Sequence, residues 1–261
     1  MRDSGTELFI YGFILILVGL HASGIPLETM KENKFADYLI KHDYAIQLLK
    51  FAKYNFKKEK ASLIPLLFYR DGKKIMQTKT KLNIVSLDSL PYPDRDDLPI
   101  GQYHDLEVAG KPTIHMVTSR GCPFTCSYCN VRVFFDKGFY WKRSVKNVID
   151  EMEFVKNKYN AKQIYFDDDI MTHDPKWMAD FSDEILKRKL KLPWTFMGDI
   201  NIREELIKKM VKAGACGMKF GVESINPETL KNITKTWITK EKVKNFVNMV
   251  KEYGLWVHGD F

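Results

Sequence analysis

Apolar and polar positions alternate along the chain in a way that predicts short strands and amphipathic helices in turn. Residues 14–19, Ile-Leu-Ile-Leu-Val-Gly, are almost uniformly apolar and predict a fully buried parallel strand, with residues 19–24 as the turn after it. A helix pattern follows at residues 26–32, then a strand at 36–40. Residues 44–56 read as an amphipathic helix, and 63–69 as a strand ending in an Asp71-Gly72 turn. The pattern resumes with a strand at 113–119. Ser144 is placed to cap a helix over 145–159 that buries Val148, Met152 and Val155. Strands are predicted at 163–166, 194–197, 217–222 and 255–261. Between them lie a helix starting at Pro175 behind the cap Asp174, a helix over 204–213 stopped by Gly214, and a helix over 239–253 stopped by Gly254. Strands alternating with helices predict an α/β chain with a parallel sheet.

Pro91, Pro93 and Pro99, interleaved with Asp94, Asp96 and Asp97, predict a stiff polar connector between two parts of this pattern. An apolar content of 45% suits globular domains with real cores. The charge-free run at residues 8–20 is short for a membrane span, and Asp3 and Glu7 beside a lone Arg2 argue against a signal peptide.

The formal charge is +8, and its excess lies in the second part: residues 1–110 hold 15 basic and 14 acidic side chains, residues 111–261 hold 26 and 19. Most of that excess is lysine on predicted helices, which reads as solvated faces and does not predict a nucleic-acid partner. It is compatible with an acidic substrate or a docking site for a reductase.

The candidate chemistry is in Arg120-Gly121-Cys122-Pro123-Phe124-Thr125-Cys126-Ser127-Tyr128-Cys129-Asn130. Three of the four cysteines stand there in a C-x3-C-x2-C spacing, while Cys216 lies far along the chain. Thiolates this close hold a soft metal or a cluster, and the spacing matches neither common zinc pairing nor the ferredoxin run. Four cysteines with three clustered do not make a disulfide framework, so a reducing compartment, the cytoplasm, is expected.

At these residues the chain resembles the radical S-adenosylmethionine (radical SAM) enzymes, whose hallmark is C-x3-C-x-aromatic-C, with Tyr128 at the aromatic position. The resemblance runs from about Thr113 to the last residue. It implies a 4Fe–4S cluster held by Cys122, Cys126 and Cys129, with one iron left to chelate SAM. It also implies reductive cleavage of SAM to a 5′-deoxyadenosyl radical, a small-molecule substrate, and an electron donor such as flavodoxin or ferredoxin. Tyr128 is expected along the adenine. Asp168 or Asp169, in the loop after the second barrel strand, is expected to take the SAM ammonium. Glu223 and Ser224, in a G-x-E-S stretch, are expected on the ribose side.

The first part resembles the cobalamin-binding domain that some radical SAM proteins carry. Gly19, His21 and Ser23 fit a G-x-H-x-[ST] turn, and Leu87-Asp88-Ser89-Leu90-Pro91-Tyr92-Pro93 fits the L-D-x-L-P-x-P linker. The D-x-H-x-x-G motif that would supply a cobalt ligand is absent from the chain. His21 is therefore expected near the corrin's tail.

The expected architecture is a partial Rossmann-like cobalamin-binding domain over 1–86, a linker over 87–110, and an incomplete (β/α)6 radical SAM barrel over 111–261. A chain truncated at both ends is expected. Transfer of a methyl group, or a related ring-forming or carbon–carbon reaction, is the function this implies. Two alternatives stand beside it. A tRNA-modifying methylthiotransferase would need a second cysteine triad, and residues 1–121 contain no cysteine. A non-catalytic zinc module would be told apart by its metal content.

Overall fold

The computed structural model describes residues 13–42, 44–80, 86–103, 108–135 and 139–261. The chain divides into two units, Met1–Ile84 and Val85–Phe261.

In the first unit, β1 (Ile16–Leu17), β2 (Tyr38–Ile40), β3 (Leu67–Asp71) and β4 (Lys74–Gln77) form one sheet in that order. β1 and β2 are parallel, but β3 and β4 return antiparallel, so the sheet is mixed. Both faces are covered, as alternation along a strand allows. Tyr38, Ile40 and Leu67 pack with Phe51 of helix α3 (Ala45–Lys53), while Leu39 and Phe68 pack with Ala22 of α1 (Leu20–Gly24) and Met30 of α2 (Pro26–Glu32). The expectation of a fully buried strand at 14–19 is corrected. Only Ile16 and Leu17 pair, and Ile14, Leu15 and Val18 are exposed, because β1 stands at the edge of the sheet among the described residues. The remainder of the apolar run, residues 8–12, lies outside the described residues. The predicted turn at 19–24 is instead the short helix α1, entered through Gly19 at φ 103°, a backbone that favours glycine.

The second unit is built on five parallel strands: β5 (Thr113–Met116), β8 (Gln163–Phe166), β9 (Trp194–Met197), β10 (Ala215–Gly221) and β11 (Trp256–Asp260), side by side in chain order. Two short strands, β6 (Ser119–Arg120) and β7 (Trp141–Lys142), form a separate antiparallel ribbon. The predicted strand at 113–119 is thus interrupted after Met116. Helices α5 (Val145–Tyr159), α6 (Pro175–Arg188), α7 (Glu204–Lys212) and α9 (Lys240–Glu252) connect the parallel strands and share a core with one face of the sheet. The short helices α4 (Val131–Phe134) and α8 (Pro227–Asn232) sit in loops at the strand ends. Ser144, Asp174 and Thr239 cap α5, α6 and α9 as their side chains accept from Asn147, Trp177 and Lys242 amides. Among the described residues no helix is long and apolar enough to cross a membrane.

The stretch read as a linker packs against this sheet. Arg95, 5% exposed, and Arg143, 8% exposed, clamp the buried Glu151 at 2.8 and 2.6 Å, and Arg95 also donates to the His115 carbonyl. The Asp88 carboxylate accepts from the Ser144 amide at the start of α5.

Candidate active site

The loops at the C-terminal ends of the parallel strands enclose a cleft of about 190 Å³. In β/α sheets this is the end where sites are built, because the loops converge there while the strands hold their spacing. The lining joins Cys122, Cys126, Tyr128 and Cys129 from the loop after β5, Asp169 after β8, Asp199 after β9, Gly221 and Glu223 at the end of β10, Lys235, Trp237, and Asp260 of β11.

The cysteine loop is fixed at several points. Gly121, at φ 86°, carries its backbone so close to Phe139 that a Cβ would meet the Phe139 carbonyl oxygen at 2.3 Å. The loop is strapped to the segment after α8 by Ser127 N to Ile233 O at 3.1 Å and Thr234 Oγ1 to Thr125 O at 2.6 Å. Phe124 stacks on Trp237 at 4.7 Å, and the Trp237 indole donates to Asp199. Burial pushes the Cys122 thiol up to about 11. Burial also raises Cys126, with Lys235 opposing it.

Among the described residues no three His, Cys, Asp or Glu side chains converge on one point as a single ion requires. The three thiols line one cleft, and a set of three thiolates from one loop fits a polynuclear centre. Cys216, at the opposite end of β10, bonds to the Trp194 carbonyl at 3.5 Å. It stands five residues before Gly221, about 16 Å along the strand.

The two adjacent aspartates separate by face. Asp169 lines the cleft and accepts from the Gly121 amide at 2.9 Å. Asp168 is 3% exposed and accepts from the amides and hydroxyls of Thr118 and Ser119. Asp168, expected with Asp169 as a candidate for the SAM ammonium, does not line the cleft: its carboxylate is buried against the Thr118 and Ser119 donors. Ser224 does not line the cleft either. Its Oγ accepts from the Asn226 amide and shapes the turn into α8.

Glu223 sits in the left-handed region at φ 63°, a strained setting for a non-glycine residue and common at functional sites. Its carboxylate pairs with Lys235 at 3.1 Å. The Tyr128 phenol is raised by burial of its hydroxyl end and by a hydrogen bond to Glu223, although the ring is half exposed. A Cβ at Gly221 would meet Glu223 Oε1 at 2.2 Å and Lys235 Nζ at 2.8 Å, so any larger residue would shift this pair.

Lys235 is the residue that the sequence reading missed. It is 7% exposed, and its ammonium also donates to the Gly221 carbonyl at 2.8 Å. Its signal was a lone lysine among Ile233, Trp237 and Ile238, too short a stretch to show periodicity. His21 lies on α1 in the first unit, with an exposed side chain.

Residues 116–261 match the Radical SAM superfamily. An uncharacterized methyltransferase of Pyrococcus horikoshii is 30% identical over 249 residues, covering 95% of this chain and 53% of that protein. Cytidylyl-2-hydroxyethylphosphonate methyltransferase of Streptomyces wedmorensis is 28% identical over 186 residues, covering 67% of this chain and 34% of that protein. The chain thus spans about half the length, or less, of the curated relatives it matches. Among solved structures, the radical SAM methyltransferase TsrM of Kitasatospora setae, with cobalamin and a 4Fe–4S cluster bound, superposes with a TM-score of 0.75 at 18% identity, covering 94% of this chain and 48% of that one. At that identity the likeness concerns the fold.

Proposed function

The chain belongs to the radical SAM superfamily, and on that premise we propose that it carries the SAM-cleaving centre of a cobalamin-dependent radical SAM methyltransferase. The observation that carries this reading is one cleft lined by three clustered thiols, four carboxylates and a buried ammonium. Cys122, Cys126 and Cys129 would hold the cluster, whose chemistry when bound is one-electron reduction of the SAM sulfonium. The chain's own residues bind and orient SAM. Asp169 faces the cleft with the sign to take its ammonium, and Lys235 has the sign to take its carboxylate. Glu223 holds Lys235 in place and, with Tyr128, lines the cleft. A reductant of the flavodoxin or ferredoxin kind, a small-molecule substrate and a cytoplasmic setting complete the proposal.

The test is spectroscopic. With the cluster reconstituted and reduced, SAM should change its EPR signal, and 5′-deoxyadenosine should be released on turnover. Glu223→Gln, Lys235→Met and Asp169→Asn should keep the cluster. Each should weaken SAM binding about ten- to a hundred-fold, the size of one charge-assisted contact of roughly 1.5–3 kcal/mol. Unchanged SAM titrations in all three would remove the carboxylates and Lys235 from the binding site.

The methyl-transfer part rests on the relatives' names and on the sequence features of the first unit. We propose residues 1–86 as part of a corrin-binding domain, 87–110 as the connection and 111–261 as the barrel portion. His21, exposed at the start of α1 just after the Gly19 turn, would lie near the corrin's nucleotide tail. The whole protein should take up about one equivalent of hydroxocobalamin, seen in its absorption spectrum. His21→Ala should weaken uptake without altering the axial ligation of cobalt. No uptake at all would leave a radical SAM enzyme that uses only its adenosyl radical.

A further inference from the structure

Among the described residues one lysine of β10, Lys219, makes no ion pair or hydrogen bond through its side chain. Met218 and Phe220 of β10 face the core beneath the helices. Lys219 therefore projects to the opposite face of the sheet, the face shared by Gly221. It stands in register with Met197 of β9, which lines the cleft, and with His258 of β11. Lys219 is partly buried.

The carboxylates that line the cleft are each engaged elsewhere. Asp260 pairs with His258 at 3.1 Å, Asp199 accepts from Trp237 and from the Asn201 amide, Glu223 pairs with Lys235, and Asp169 accepts from Gly121. A partly buried lysine without a counter-charge gives up some hydration, and ordering its long side chain costs further entropy. Both penalties fall when an anion binds.

We propose that Lys219 is an anion subsite on the open face of the sheet, and that it takes a carboxylate or phosphate group of the substrate. The proposal rests on the reading of the cleft as the SAM site, since that reading gives the SAM carboxylate to Lys235. Lys219 lies two residues before Gly221, about 7 Å down the strand from the cleft rim. Lys235 is held at Gly221 by its bond to that carbonyl, so the two lysines stand at different points along the sheet and can address different molecules.

The experiment titrates inorganic phosphate and, separately, acetate into the cluster-reconstituted full chain, with and without SAM. Binding heats are measured for wild type, Lys219→Met and Lys219→Arg. Wild type and Lys219→Arg should bind at least one of the two anions, and Lys219→Met should bind it at least tenfold more weakly. The EPR response to SAM should be the same in all three. Equal anion binding in wild type and Lys219→Met, or none in wild type, would overturn the proposal. So would loss of the SAM response in Lys219→Met, which would assign this ammonium to SAM. If wild type does not respond to SAM, the reading of the cleft falls, and the anion comparison still decides the role of Lys219.

Discussion

Alanine at any one of Cys122, Cys126 or Cys129 should abolish the cluster, whereas Cys216→Ala should leave it intact. Anaerobic reconstitution of the wild-type chain with iron and sulfide should give about four irons per chain. Each of the three single variants should give a colourless protein with little bound iron. Among the described residues three thiols are the whole set of thiolate ligands at the cleft, so losing one leaves two, too few to retain a cluster against solvent thiols. The buried, partly desolvated surroundings that raise Cys122 and Cys126 make the point sharper. Burial favours neutral thiols in the empty protein, and a bound cluster is what stabilises the thiolates. Cys216 cannot substitute for any of them. It hangs from the Trp194 carbonyl at the other end of β10, and no turn of the backbone brings it to the cleft. Cluster loss in Cys216→Ala alone, or one zinc per chain in wild type, would overturn the ligand assignment.

The spacing of these cysteines was legible because all three lie on one loop, where local sequence and local geometry coincide. Helices α5, α6 and α9 were legible for the same reason: each has its cap residue and its apolar stripe within a dozen positions. What lay beyond the sequence depends on contacts between distant segments. Lys235 becomes part of the site only when the loop after α8 closes over the cysteine loop. The direction of each aspartate depends on the loop after β8 and on what Thr118 and Ser119 offer after β5. Asp168 and Asp169 look alike as letters, and the donors each meets, Thr118 and Ser119 for one and Gly121 for the other, separate them. β1 failed for a related reason, since an apolar run reports only that burial is favourable, not which strands are there to supply it.

Asp168 is therefore where the structure departs most from the sequence reading, and its replacement should destabilise the chain without touching a ligand. The Thr118 and Ser119 amides are buried and both donate to this one carboxylate. Asp168→Ala leaves them unpaired, at about 1–3 kcal/mol each, and adds a small cavity, for a loss of roughly 3–5 kcal/mol. Because these residues lead directly into the cysteine loop, cluster yield should fall together with the melting temperature.

Asp168→Asn separates charge from hydrogen bonding. Burial pushes the Asp168 carboxyl up to about 6, above its value in an unfolded chain. The folded state thus holds this proton more tightly than the unfolded state does. The associated stability is fully present below about pH 4 and is lost as the pH rises through 6. The stability of wild type relative to Asp168→Asn, measured by urea denaturation of the cluster-free chain, should therefore decline by roughly 2 kcal/mol from pH 4 to pH 7. A difference that stays constant over that range would mean the five hydrogen bonds offset the burial completely. A cluster yield unaffected in Asp168→Ala would show that the loop holds its shape without them.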